Sequence, residues 1–277
     1  MNLLLLAINP VAIRIGSSEH ALEVRWYGIL IAMGIILGFF IVQREMLKKG
    51  MHPDFLTDML IWAIPISIIS ARIYYVIFTW DYYSEHPEQI IQIWNGGIAI
   101  HGALIGAVIT AVIFTRKRGV SFWKVADITA PGLLIGQIIG RWGNFMNQEA
   151  HGGPVTEAFK ENTIIPDWIM NQMTIDGVTY HPTFLYESMW NVAGLILILV
   201  LRRVITVKRG EIFLFYVIWY SIGRFFIEGM RTDSLYVIGA LRAAQLVSVA
   251  GVVIGIAILL YRRFIMKVNE NYEEKRK

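Results

Sequence analysis

The chain has 277 residues, of which 56% are hydrophobic and only 17% charged. So apolar a chain cannot remain disordered, and with no cysteine it holds no disulfide scaffold, cysteine nucleophile or thiolate metal site. The net charge of +4 gives no basis for a nucleic-acid partner.

Met1–Asn9 is apolar but too short to span a bilayer. It lacks the basic start of a signal peptide, so no cleavage is expected. It either frays or lies on the membrane surface. Seven later runs approach the length of about 20 residues that a crossing needs. They are Tyr27–Val42, Asp58–Thr79, Gly97–Thr115, Val125–Gly140, Phe184–Leu201, Ile212–Glu228 and Gly239–Leu260. The basic residues sit in alternate connections: Arg44, Lys48 and Lys49 after the first run, then Arg116, Lys117, Arg118 and Lys124 after the third. Arg202, Arg203, Lys208 and Arg209 follow the fifth, and Arg262, Arg263, Lys267, Lys275, Arg276 and Lys277 follow the seventh. Positive loops stay in the cytoplasm. The expected fold is an all-α membrane protein with seven transmembrane helices, N-terminus outside and C-terminus cytoplasmic.

The connection Arg141–Thr183 is unusually long for one without function. It is expected to form an external cap, 141–183, inserted in a single transmembrane catalytic domain, 1–277. Small residues at Gly34/Gly38, Gly102/Gly106, Gly132/Gly136/Gly140 and Gly251/Gly255 suit close helix packing and carry no chemistry.

An ionisable group inside the hydrocarbon asks for a reason. Arg25, Arg72, His101, Arg141, Arg224, Glu228 and Arg242 all fall near the outer boundary, on different helices, with Tyr27 beside Arg25. Only Asp127 lies toward the inner side. A cluster of arginines at headgroup depth suits an anionic phospholipid. Arg25, Arg72 and Arg242 alternatively snorkel to the interface or pair with carboxylates. Tyr220, Arg224, Glu228 and Arg231 share one helical face.

Three strings stand out. Gly140-Arg141-Trp142-Gly143-Asn144-Phe145-Met146-Asn147-Gln148-Glu149-Ala150-His151-Gly152 follows the fourth run, and its glycines are expected to make tight turns at the membrane surface. The others are His101-Gly102-Ala103-Leu104 and the stretch from Tyr220 to Arg231. Together they resemble the phosphatidylglycerol–prolipoprotein diacylglyceryl transferases of bacterial inner membranes. The first string matches the family pattern Gly-Arg-x-Gly-Asn-Phe-x-Asn-x-Glu-x-x-Gly at every fixed position. Arg25-Trp26-Tyr27-Gly28, Asp127 with Ala130-Pro131, His181-Pro182 and Leu185-Tyr186-Glu187 extend the likeness over essentially the whole chain. Ala103, Thr183-Phe184 and the lack of a proline between Arg231 and Asp233 depart from it.

The resemblance implies transfer of the diacylglyceryl group of phosphatidylglycerol to the lipobox cysteine thiol of a prolipoprotein, with no metal and no cofactor, at a site facing the outer side of the inner membrane. It implies that Arg141 and Arg224 bind the phosphate and that His101 is the candidate general base, although the arginines themselves favour a thiolate. Tyr27, Tyr220, Asn144, Glu149 and Gly152 are expected to contact the substrate or the arginines, and Glu228 and Arg231 to orient Arg224. His151 and His181 lie in the cap. The main alternative is a transporter for an anionic lipid. That role needs polar residues through the full depth of the bundle, whereas these gather in the outer half.

Overall fold

The computed structural model describes residues 8–16, 21–232, 236–238 and 241–272. Most of the apolar N-terminal segment, Asp233, the start of the seventh run at Gly239 and the basic residues Lys275, Arg276 and Lys277 lie outside the described residues. The fold is mainly helical. In chain order the helices are α1 (Trp26–Lys48), α2 (Phe55–Phe78), α3 (Trp80–Glu85), α4 (Ile100–Lys117), α5 (Phe122–Asn147), α6 (Glu157–Asn162), α7 (Asp167–Gln172), α8 (Thr183–Val204), α9 (Glu211–Met230) and α10 (Ala243–Leu260). Three two-stranded antiparallel hairpins, which the apolar pattern does not announce, pair β1 (Val11–Ile15) with β2 (Leu22–Arg25), β3 (Thr174–Ile175) with β4 (Val178–Thr179), and β5 (Tyr236–Ile238) with β6 (Leu241–Arg242).

Among the described residues, six helices are long and apolar enough to cross a membrane: α1, α2, α4, α8, α9, and α10 with its continuation to Ile265. Their flanks carry large exposed apolar side chains, such as Phe40 and Ile61, that only lipid can cover at low cost. The fourth predicted run is α5, which is not among the six. The reason is physical. Ile128, Ala130 and Leu134 of α5 are at most 1% exposed. A helix surrounded by protein can carry Asp127, Gln137 and Arg141, which a lipid-facing helix cannot.

The chain divides into two compact units, Val42–Ala126 and the remainder. In the smaller, α2 packs on α4 at Gly102 and Gly106. A Cβ at Gly106 would stand 2.6 Å from Ser70 Oγ, so glycine sets that approach. Arg72, 6% exposed, donates to the carbonyls of Gln89, Ile90, Gly96 and Gly97 at 2.6–2.8 Å, with its guanidinium 5.0 Å from the Tyr83 ring centroid. The guanidinium thus organises the connection between α2 and α4. It neither snorkels nor pairs with a carboxylate.

In the larger unit, α1 crosses α5 at Gly34 and Gly136 and at Gly38 and Gly132, where a Cβ on Gly38 would lie 3.0 Å from the Gly132 carbonyl. Helices α8 and α9 join through Trp190 and Trp219. Their rings stack 4.3 Å apart, and each indole N–H donates to the other residue's carbonyl at 2.9 Å. Gly223 and Gly194 leave the space those rings fill. Asp127, fully buried, accepts from the backbone N–H groups of Gly210 (2.5 Å) and Phe213 (2.9 Å), so α5 caps the positive end of α9. Phe145, Ile169, Met173 and Phe184 form the core beneath the segment that holds α6, α7 and β3–β4.

Candidate active site

Arg141 lies near the end of α5 and Arg224 in α9. Glu187, one turn into α8 and 3% exposed, stands between them. Its Oε1 is 2.8 Å from Arg141 Nη2, and its Oε2 accepts from Arg224 Nη1 at 3.3 Å. Glu228, one turn along α9, pairs with Arg224 Nη2 at 2.5 Å. Two partly buried guanidiniums are thereby matched by two buried carboxylates, as burial of charge requires. The i,i+4 pairing of Arg224 and Glu228 follows from the shared helical face.

The remaining polar groups extend outward from Arg141. The Arg141 guanidinium lies near the Tyr220 hydroxyl and donates over 3.4 Å to Asn144 Oδ1. Asn144 Nδ2 donates to Glu149 Oε1 at 2.9 Å. One turn inward, Gln137 donates to the Tyr216 hydroxyl at 3.0 Å, and the Tyr216 ring stacks on Tyr220.

The glycines of the string from Gly140 to Gly152 do not make turns, contrary to expectation. Gly140 and Gly143 are inside α5. Gly143 admits the Tyr27 ring, since a Cβ there would come within 2.6 Å of Tyr27 Cδ2. The turn is made by Gln148 and Ala150, non-glycine residues with φ of 53° and 58°. Gly152 is enclosed by His181 Cβ, Thr183 and the Met230 carbonyl, and bridges backbone to backbone with Arg231. That bridge ties the string to the end of α9, where the Arg231 N–H donates to the Glu228 carbonyl at 3.2 Å.

Of the residues singled out from sequence, the larger unit gathers Arg141, Asn144, Glu149, Tyr220, Arg224 and Glu228 into this one network, with Tyr27, Gly152 and Arg231 at its packing contacts. His101 belongs to the smaller unit, in the first turn of α4, with its ring 6.1 Å from that of Tyr74. Arg25 is exposed and 3.9 Å from Glu23, and Arg242 begins α10 in a capping arrangement with Gln245. His181 meets the Tyr186 hydroxyl at 3.2 Å, and partial burial holds its imidazole below the usual histidine range. Glu187 is the site residue that the placement of buried charge from sequence passes over. The signal is present, because it is an ionisable residue within the apolar run Phe184–Leu201. Among the described residues no cluster of three or more His, Asp or Glu has the arrangement of a metal site.

The family model for prolipoprotein diacylglyceryl transferase matches residues 10–261. The chain is 63% identical over 274 residues to the phosphatidylglycerol–prolipoprotein diacylglyceryl transferase of Lysinibacillus sphaericus, covering 98% of each. It is 54% identical to that of Bacillus licheniformis, covering 99% of this chain and 100% of the relative. With that of Listeria monocytogenes the identity is 56%, over 96% of this chain and 93% of the relative. Matches of this extent, over a chain in which two arginines meet on one buried carboxylate, leave a single conclusion: the chain belongs to the prolipoprotein diacylglyceryl transferase family.

Proposed function

We propose that this membrane enzyme moves the sn-1,2-diacylglyceryl group of phosphatidylglycerol to the lipobox cysteine thiol of prolipoproteins. The observation that carries the reading is the arginine pair, Arg141 and Arg224, held side by side by Glu187 on helices that belong to a membrane-spanning bundle. In this reading α5 is a seventh crossing within one catalytic domain, the N-terminus is outside and the C-terminus cytoplasmic, and 141–183 form a cap over the outer face of the bacterial inner membrane.

The thiol sulfur attacks the glyceryl carbon that bears the phosphate. The S–H proton leaves, a C–S bond forms, and the C–O bond breaks with its electron pair passing to the phosphate oxygen. Glycerol phosphate departs and a thioether remains. A thiol with a pKa of about 8.5 reacts as thiolate, and His101 is the candidate base for its proton. Arg141 and Arg224 bind the phosphate and meet the charge that builds on it as the bond breaks. Asn144, Glu149, Tyr27, Tyr220 and Gly152 shape the surroundings of Arg141, and Glu228 and Arg231 orient Arg224. No metal or cofactor enters the reaction as written.

The deciding experiment incubates the purified protein with phosphatidylglycerol and a lipobox peptide containing one cysteine. Mass spectrometry is expected to find the diacylglyceryl adduct on that cysteine, together with released glycerol phosphate. Lipid binding by folded protein with neither product would overturn the enzymatic reading and leave a lipid-transport role for the same pocket.

A further inference from the structure

We propose that Glu187 is a positioning residue for the transfer, setting the separation and facing of Arg141 and Arg224. The inference rests on the reading of these arginines as the phosphate site. The two guanidiniums come from different helices and repel each other, and each sits on a long side chain with several rotatable bonds. A carboxylate with one oxygen on each guanidinium, 2.8 Å and 3.3 Å away, removes both freedoms. Glu187 is itself immobile. It is 3% exposed, and three residues along α8 the Trp190 ring fills the space above Gly223, the neighbour of Arg224.

Charge balance points the same way. Arg141 and Arg224 against Glu187 and Glu228 sum to zero, so the resting cluster offers a phosphate no net positive charge. What it offers is oriented donors. A guanidinium carries five N–H groups, and the contacts to Glu187 and Asn144 leave Arg141 with donors to spare. Preorganised donors of this kind act mainly on charge that develops during reaction. The effect of Glu187 therefore belongs in kcat rather than in lipid affinity.

The test uses the full chain in phosphatidylglycerol vesicles with the one-cysteine lipobox peptide. A parallel series uses phosphatidylglycerol in which one non-bridging phosphate oxygen is replaced by sulfur. In the wild type, sulfur is expected to slow transfer about tenfold or more, through the weakened arginine contact. Glu187→Gln keeps the shape but faces one guanidinium with an amide N–H. Its kcat is expected to fall about 100-fold, as for a misplacement of about 1 Å. Its KM for phosphatidylglycerol should stay within about threefold, and the sulfur effect should nearly vanish. Glu187→Asp retains the charge but is too short to span both arginines, and is expected to behave alike. It also serves as the readout if Glu187→Gln does not fold. Wild-type kcat in either folded variant, or a slowed variant that keeps the full sulfur effect, overturns the proposal. A wild type indifferent to sulfur overturns the phosphate reading beneath it, and with no adduct from the wild type the function itself fails.

Discussion

The indole of Trp190 donates to the carbonyl of Trp219 and the indole of Trp219 to the carbonyl of Trp190, both at 2.9 Å, so the two helices are joined by a reciprocal pair of bonds. Each ring lies where a Cβ of the facing glycine, Gly223 or Gly194, would collide with it. Gly223→Ala is expected to destabilise the protein by about 1–3 kcal/mol through overpacking. It should also slow transfer, because Arg224 is the next residue. Thermal unfolding and the initial rate of adduct formation read the two effects. A fully stable, fully active Gly223→Ala would show that α8 and α9 separate at little cost.

Removing either arginine leaves Glu187 buried with half its pairing. Arg141→Ala and Arg224→Ala are expected to abolish adduct formation, with a stability cost of up to about 3–5 kcal/mol typical of a broken buried pair. Arg224→Lys keeps the charge but loses the planar fork that meets Glu187 and Glu228 together, and a loss of about 100-fold or more in kcat is expected. Full activity in Arg224→Lys contradicts bidentate contact with phosphate. In the same assay, an active His101→Ala reassigns thiol activation to the arginines alone.

At the N-terminal end of α9, Asp127→Asn keeps the shape of the side chain but not its charge. The bonds from Gly210 and Phe213 and the interaction with the start of α9 weaken together. The expected cost is about 1–3 kcal/mol, as for hydrogen bonds to a charged group. It is measured as a lower unfolding temperature, while the KM for lipid stays unchanged.

Ala150 adopts a left-handed backbone with φ of 58°. That conformation costs an L-residue about 1–2 kcal/mol, and glycine returns about 0.4–1 kcal/mol of that gain through the entropy of its unfolded chain. Ala150→Gly is therefore expected to be neutral or slightly stabilising and Ala150→Val clearly destabilising, by thermal unfolding.

Burial holds the His181 imidazole below the histidine value of 6.5. The unfolded chain therefore takes up this proton more readily than the folded one, so stability is full above that value and declines as pH falls through it. His181→Gln should flatten this part of the profile in unfolding scans between neutral and mildly acidic pH.

Apolar length made the lipid-facing helices legible from residues alone, since α2, α4 and α9 coincide closely with the predicted runs. It under-reads α5, because a helix shielded by its neighbours is free to carry polar groups. The short hairpins escaped because each rests on a few backbone pairings with no repeating apolar pattern. At the site, the arginines were legible as charges out of place and Glu228 as a neighbour of Arg224 on one helical face, but Glu187, from another helix, was not. Arg72 is satisfied by four carbonyls from a connection 17–25 residues away, a geometry that no spacing rule encodes. Glycines in the string at the end of α5 read as turn formers because sequence gives their freedom and not their neighbours. The Tyr27 ring over Gly143 supplies the actual reason.

Helix α9 is fastened at three heights: at its N-terminal end to Asp127, at mid-length through Trp219, and toward its C-terminal end to Glu187 and, past Met230, to Gly152. A slide of α9 by one helical turn, about 5.4 Å, would break all three attachments at once. The helix therefore acts as a fixed post that keeps Arg224 in register with Glu187. Any opening that admits the substrates is therefore expected at elements other than α9.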